Sequence, residues 1–374
     1  MKMRMLLAGG FVLLLFGAVA ADVAMAAPSF CTSTAWNMMR ACRIDTREEL
    51  HITRANCANI LDADDRGACR EEAVATREEG LEECDEQWGA RLDACDLLDE
   101  FIYDPDPLLD PAIDFIHPDD IPDVYDANPY VSLVAGHTYV LRTGDEGQEI
   151  VVVYVTDETL EIQGVECRVV VDVAVEAEED EEGVGVEYEP LEVTDDWFAQ
   201  SDAGDVYYCG EISREFEDGL LDSLDGSFRA GVDFAKAGVL IRMFPEVGEA
   251  HRQEFALEEA EDIVEYIDLA GAPTEEMGGE NEDFPCAPDG CLQTHDSSPL
   301  EPSDTEFKFY KAGIGFVLAV ALEDGEVEGE REELVCVGDS LDILLDESCG
   351  IEDPEELLEE LCSLHDAFCP DDDE

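Results

Sequence analysis

Basic side chains are scarce in this chain. Of 374 residues only 20 are Lys or Arg, against 96 Asp or Glu, for a formal net charge of −76. The lysines are Lys2, Lys236, Lys308 and Lys311. No basic patch exists to meet phosphates, which excludes nucleic acid as a partner and disfavours an anionic membrane surface. After the first residues no apolar run approaches membrane length, so the mature chain is not expected to insert. Close metal-ligand pairs are missing too. Cys286 and Cys291 are the nearest cysteines, with no matching second pair, and this argues against zinc. His51, His117, His137, His251, His295 and His365 are scattered, form no His-x3-His pair, and read as surface or packing residues.

The N-terminus reads as a secretory signal over residues 1–26. Lys2 and Arg4 supply a positive start, Leu6 to Ala20 an apolar run, and Ala24-Met25-Ala26 a small-x-small cleavage site. An uncleaved anchor is the competing reading, but the run is short and broken by glycine. Cys31 follows Pro28-Ser29-Phe30 rather than the cleavage site itself, so a lipoprotein is not expected. The chain should be exported: periplasmic, secreted or cell-surface. Fourteen cysteines, an even number, read there as disulfides. A hydrophobic content of 45% is enough for a core despite the charge. Acids spread so widely over a lysine-poor chain suit a saline medium, where salt screens their repulsion.

Residues 27–102 form the first unit. Cys31, Cys42, Cys57, Cys69, Cys84 and Cys95 are separated by 11, 15, 12, 15 and 11 residues, a mirror pattern about Ala63. No proline interrupts Cys31 to Asp99, and helix formers dominate. Cysteines 11 apart lie three turns apart on nearly one helix face. The spacing therefore predicts a helical hairpin stapled by Cys31–Cys95, Cys42–Cys84 and Cys57–Cys69. The turn falls at Asp62-Ala63-Asp64-Asp65, with Asp64 or Asp65 capping the second arm. Asp62 to Gly67 is no EF-hand: Arg66 occupies a ligand position and Ala73 stands where the bidentate glutamate belongs.

Residues 103–128 alternate aspartate with Pro105, Pro107, Pro111, Pro118 and Pro122, and read as a stiff spacer. Residues 129–335 read as a β-rich domain. Val151–Val155, Val169–Val173 and Val317–Val320 are strand-like runs, with an acidic loop from Glu176 to Glu182. Asp196–Gln200, a turn at Ser201–Asp205 and Val206–Cys209 predict a hairpin. One helix is expected near Leu257–Tyr266. In the tail, 336–374, Asp353 is an N-cap followed by Pro354 at the first helical position. That helix is expected to run to about Phe368, with Cys362 and Cys369 on one face. The expected fold class is α+β: a stapled helical hairpin, an antiparallel β-rich domain shaped as a curved sheet or half-barrel, and a short helical tail containing cysteines.

A resemblance covers about 205 residues of the β region. Asn128-Pro129-Tyr130 and Ala135-Gly136-His137-Thr138-Tyr139-Val140 resemble the opening of a family of exported, functionally uncharacterised bacterial proteins. The pattern continues in order through Gly164-Val165-Glu166-Cys167, Asp196-Trp197-Phe198-Ala199-Gln200-Ser201 and Gly226-Ser227-Phe228-Arg229. It then runs through Arg252-Gln253-Glu254-Phe255, Glu259-Ala260-Glu261-Asp262, Cys291-Leu292-Gln293-Thr294, Pro299-Leu300-Glu301-Pro302 and Tyr310-Lys311-Ala312-Gly313. The resemblance implies an exported antiparallel β domain and a Cys167–Cys291 bridge. It carries over no activity. Cys209 departs from the pattern, where an aromatic residue is usual, and the cysteine-rich ends are additions.

Three functional readings follow. The leading one is a non-enzymatic interaction protein for a protein or surface ligand, with no cofactor. The alternative is extracellular calcium binding. Calcium takes six to eight oxygens, and Glu254, Glu258, Glu261 and Asp262 form the richest acidic cluster; a helix would put Glu258 and Asp262 on one face. The competing explanation of that cluster is a solvated face. The third reading is an esterase, since Gly338-Asp339-Ser340-Leu341 resembles the opening block of GDSL enzymes. Only 33 residues follow Leu341, and His365 is the sole downstream histidine, so the base and oxyanion hole have no room. Trp197, Phe198, Tyr207 and Tyr208 are expected to pack a sheet face rather than line a cleft.

Overall fold

The computed structural model describes residues 29–121, 128–144, 148–179, 186–217, 219–274, 277, 286–287, 289–323 and 325–369, without the side chains of 178–179, 323 and 328–330. The signal segment, the tip of the acidic loop and the chain end from 370 lie outside the described residues.

Two helices open the structure, α1 (Phe30–Cys57) and α2 (Ala63–Leu97). Ser29 caps α1 by accepting from the Thr32 amide. Asp62 caps α2 by accepting from the amides of Asp64 and Asp65. The cap is thus Asp62 rather than Asp64 or Asp65, because a capping side chain must precede the free amides that it reaches. The mirror pairing is realised: Cys31–Cys95, Cys42–Cys84 and Cys57–Cys69 have Cα separations of 5.9, 5.7 and 5.7 Å. Between the arms Trp36 meets Trp88 edge-on. Few side chains are buried in either helix, so the bridges substitute for a core that two helices cannot build alone.

Fifteen strands are found among the described residues. They are β1 (Thr138–Thr143), β2 (Glu149–Ile162), β3 (Val165–Glu179), β4 (Val186–Gln200), β5 (Val206–Glu217), β6 (Leu220–Ser223), β7 (Phe228–Arg229) and β8 (Lys236–Ile241). After them come β9 (Ala250–Arg252), β10 (Glu254–Phe255), β11 (Ile263–Gly271), β12 (Cys291–Ser297), β13 (Asp304–Lys311), β14 (Gly315–Glu323) and β15 (Glu326–Gly338). The order is β10-β8-β5-β4-β3-β2-β1-β15-β14-β13-β12-β11-β9, with β6 and β7 beside β5. The pairings are antiparallel.

The two ends of this order meet in one segment. β9 pairs with β11, and β10, one residue further on, pairs with β8. The sheet therefore curls into a nearly closed barrel. Gly238 on β8 permits the closure, since a Cβ there would lie 2.1 Å from the Gln253 carbonyl oxygen. The obstacle is backbone and cannot swing aside. Gly238→Ala is expected to cost about 3 kcal/mol by overpacking, read from urea unfolding. An unchanged midpoint would show that the seam does not matter.

Strand β3 explains the valine run. Cys167, Val169, Val171, Val173 and Val175 point outward into a core shared with β1, β2, β4 and β5. Their alternates Val170 and Asp172 point into the barrel. Both faces are covered, so the run does not alternate in hydrophobicity. The outer face is covered by the tail. Helix α3 (Pro354–Leu364) is capped by Asp353, which accepts from the Glu356 amide, and it packs Leu357 and Leu361 onto the sheet with Leu344 and Phe368.

Helix α3 ends at Leu364, short of Phe368, and a 3-10 turn spans Asp366–Phe368. The Cys362–Cys369 bridge, with Cα atoms 4.6 Å apart, accounts for this. Seven residues of continuous helix would hold those atoms about 10 Å apart.

Residues 103–121 are strapped to the barrel rather than spanning free. Tyr103 Oη donates to the Ala237 carbonyl at 2.7 Å. Asp106 accepts from the Leu108 amide and from Gln163, and Leu108 joins the outer core. Phe115 bridges Ser201, and the Ile116 amide donates to Gln200. Residues 122–127 lie outside the described part.

Two expectations are corrected here. No helix occupies Leu257–Tyr266: Leu257–Glu259 is a tight turn closed by the Ala256–Ala260 bridge, and β11 begins at Ile263. Glu258 sits at φ 72°, outside helical space, and the partners offered by β9 and β12 override the helix-forming composition. The Cys167–Cys291 bridge is absent. Cys167 bonds Cys209, and Cys291 bonds Cys286. Strand β12, which carries Cys291, lies across the barrel from β3 in the strand order. The last pair among the described residues is Cys336–Cys349. Trp197, Tyr207 and Tyr208 are buried, as sheet packing requires; Phe198 stacks on Tyr208 with ring centroids 4.6 Å apart but, against the expectation, also lines a cavity inside the barrel.

Candidate functional site

The hairpin docks over one mouth of the barrel through charged side chains. Arg91 of α2 reaches Glu261 with a two-pronged contact, Nε to Oε2 at 2.9 Å and Nη2 to Oε1 at 2.7 Å. Their side chains are 6% and 2% exposed, so this ion pair is shut away from water. Gln87 Nε2 donates to the Leu300 carbonyl, and Arg252 pairs with Glu100 at 2.8 Å just beyond the helix.

Beneath α2 lies a cavity of about 880 Å³. Twelve of its twenty lining residues are Asp or Glu, and none is Lys, Arg or His. Glu83 of α2 roofs it. Glu211, Glu254, Asp262, Asp296 and Glu306 form much of the wall. Glu254 is 8% exposed, and its carboxyl makes no hydrogen bond or ion pair with the described residues. Burial pushes that carboxyl well above its usual range, aided by Asp262, Glu211 and Asp196.

The acidic lining continues inward. Tyr208 Oη lies between Asp196 and Glu211, bonded to the first and 2.8 Å from the second. One hydroxyl carries one proton and can donate to only one of them. The other contact needs a protonated carboxyl as its donor. Burial pushes Asp196 up to about 7 and Glu211 up to about 8, each further raised by acidic neighbours, so a shared proton near neutral pH follows. Deeper still, a cavity of about 250 Å³ sets Asp172, Asp196, Glu332 and Lys308 against Leu133, Phe198, Tyr310 and other apolar walls. Burial alone would lower Lys308, but Glu306 at 2.7 Å and Asp296 at 3.5 Å hold it well above the usual lysine range.

The acidic cluster singled out in the sequence is divided. Glu254, Glu258 and Asp262 line the mouth cavity, while Glu261 is taken by Arg91. With the helix absent, Glu258 and Asp262 do not share a helical face. Among the described residues no three His, Cys, Asp or Glu side chains converge as a metal site. Asp172, Asp196, Glu211, Asp296, Lys308 and Glu332 were not singled out. Their signal is a charged residue at an inward position inside an otherwise apolar strand, such as Asp172 within the valine run or Lys308 between two phenylalanines.

The histidines and Ser340 are also placed. His251 is buried and lowered to about 3, with Tyr266 Oη 3.0 Å away. Burial lowers His137 and His295 as well. Ser340 is exposed and begins the 3-10 turn Leu341–Leu345. His365 Nε2, the downstream imidazole, is 2.9 Å from Asp195 on β4.

No family model matches the chain, and no curated protein matches it. Among solved structures, it is similar to a protein described as exported, with a YmcC-like fold, from Bacteroides fragilis NCTC 9343, at 13% identity and a TM-score of 0.28, covering 56% of this chain and 98% of that one. It is also similar to a protein described as a lipoprotein from Parabacteroides distasonis ATCC 8503, at 10% identity and a TM-score of 0.26, covering 58% of this chain and 100% of that one. Likeness at this level carries nothing about ligand or activity.

Proposed function

We propose that this is an exported, non-enzymatic binding protein that takes a cationic ligand at the helix-covered mouth of its barrel. One observation carries the reading: the buried Glu254, unpartnered among the described residues, facing an 880 Å³ cavity walled by carboxylates. Burial and its acidic neighbours push this carboxyl well above the usual range, and a bound cation would offset that by favouring the ionised form. Seven disulfides among the described residues and the signal-like N-terminus support export. Among the described residues no helix is long and apolar enough to cross a membrane. The outer acids, remote from the cavity, serve solvation in a saline medium.

Thermal melts at one fixed high ionic strength test this. The oxidised protein is melted with organic cations, with calcium, and with chelator. A ligand that binds only the folded state raises the midpoint by mass action. A saturable rise with a cation, beyond that of potassium at equal ionic strength, is expected. A rise confined to calcium would install the calcium reading in place of an organic ligand. Midpoints that follow total salt alone would contradict cation binding.

A further inference from the structure

We infer that the ligand of the mouth cavity is a linear polyamine, a chain of ammonium groups on short alkyl spacers, anchored at Glu254. The inference rests on the reading of this cavity as the ligand site.

Size comes first. At about 880 Å³ the cavity is far larger than one dehydrated ion fills. Its carboxylates are spread around the wall, and among the described residues no three of them converge on one point. A single bare ion therefore finds no cage, since calcium takes six to eight oxygens at short range. A ligand with several separated charges meets several separated carboxylates.

Hydrogen-bond inventory comes second. An ionised carboxylate only accepts. Besides its acids, the wall offers side-chain donors from Gln87, Ser297, Ser298 and Thr305 alone. A peptide would bring one carbonyl acceptor per residue into a site with few donors to meet them. A polyamine has donors only, and each ammonium group presents them to the wall as charge-assisted bonds. Ala260, Leu300 and Ala321 supply apolar wall for the methylene spacers.

Proton balance comes third. Glu254 faces Asp196 from β4, Glu211 from β5, Asp262 from the turn before β11 and Lys308 from β13. Burial first, and then the three acids against the one base, push the Glu254 carboxyl well above its usual range. An ammonium group arriving beside it favours the ionised form, and the carboxyl proton leaves to solvent. Binding should therefore release protons and strengthen as pH rises.

The test is calorimetric titration of the oxidised full chain with spermine at fixed ionic strength, in two buffers of different ionisation enthalpy. Magnesium, calcium and an oligolysine peptide serve as comparison probes. Glu254→Gln is the key variant, and Glu71→Gln, the same substitution at an exposed acid on α2 outside the cavity, is the control. Melts confirm that both variants fold. Spermine should bind saturably with proton release. Glu254→Gln should weaken it about tenfold or more and reduce the release, while Glu71→Gln leaves both unchanged. Equal spermine affinity in the two variants would overturn the anchor. Saturable, Glu254-dependent binding of a metal ion or of oligolysine, without spermine binding, would overturn the polyamine and leave the cavity reading standing. No saturable binding of any probe would overturn both.

Discussion

Stability falls by several kcal/mol as pH rises from 5 to 8 at fixed high salt, the reverse of ordinary acid denaturation. The cause is the barrel interior. Burial, reinforced by acidic neighbours, raises Glu211 to about 8 and Asp196 to about 7. Burial also takes Glu332 up to about 7 and Asp296 to about 6, although Lys308 pulls both down. In the unfolded chain these groups ionise near 4. Between those limits the folded state binds more protons than the unfolded state, so raising the pH favours unfolding. The penalty is absent below about pH 4 and complete above about pH 8. The buried histidines cut into the loss, since burial lowers His251 to about 3 and lowers His137 and His295, so they favour folding more as pH rises to about 6.5. Asp195 also opposes it: burial would raise this group, but hydrogen bonds from His365 and Arg214 outweigh that and lower it. Its contribution is lost only as pH falls through that lowered value, well below the main window. Urea unfolding at pH 5, 6, 7 and 8 measures the slope, and Asp196→Asn with Glu211→Gln should flatten it. Stability that rises from pH 5 to 8 would contradict the shared-proton interior.

Arg91→Ala destabilises the protein by about 3–5 kcal/mol. The substitution strands Glu261, 2% exposed, without its cation. The pair itself is not the source of that energy, because two charges lost their water on burial. Arg91→Met combined with Glu261→Met should therefore recover most of the loss. The same bond seats α2 over the mouth cavity, so the single variant should also speed proteolysis of the hairpin while the double variant does not. Urea midpoints and a protease time course check both effects. A loss below about 1 kcal/mol in the single variant would show the pair to be solvated and the hairpin loosely held.

Local signals made much of the fold legible. The mirror spacing of six cysteines was enough to orient two helices and pair them, because helix geometry turns spacing into position. Asp353-Pro354 marked a helix start because cap and first-turn preferences are local. The turn at Ser201–Asp205 sits between β4 and β5, as its residue types require. What stayed hidden depends on parts distant in sequence. Gly238 and the Ala250–Phe255 segment look ordinary until the sheet curls far enough for them to meet. The prolines of 103–121 describe stiffness, which a spacer and a strap share. Leu257–Tyr266 has helical composition, yet β9 and β12 offered it partners.

The candidate site was only partly legible. Glu254 and Asp262 stood out as a local cluster, and they do line the cavity. Glu211, Asp296 and Glu306 could not be told from 96 acids, most of which serve the surface. Arg91 and Glu261 are 170 residues apart, and nothing local joins them.

Carboxyl footprinting tests the central claim most directly. The folded protein is labelled with a water-soluble carbodiimide and glycinamide, with and without spermine at equal ionic strength, and peptides are mapped by mass. The account predicts protection concentrated on the cavity acids Glu83, Glu211, Glu254, Glu259 and Glu301, with Glu71 and Glu355 unchanged. Protection spread evenly over the acidic surface, or none at the cavity, would contradict it.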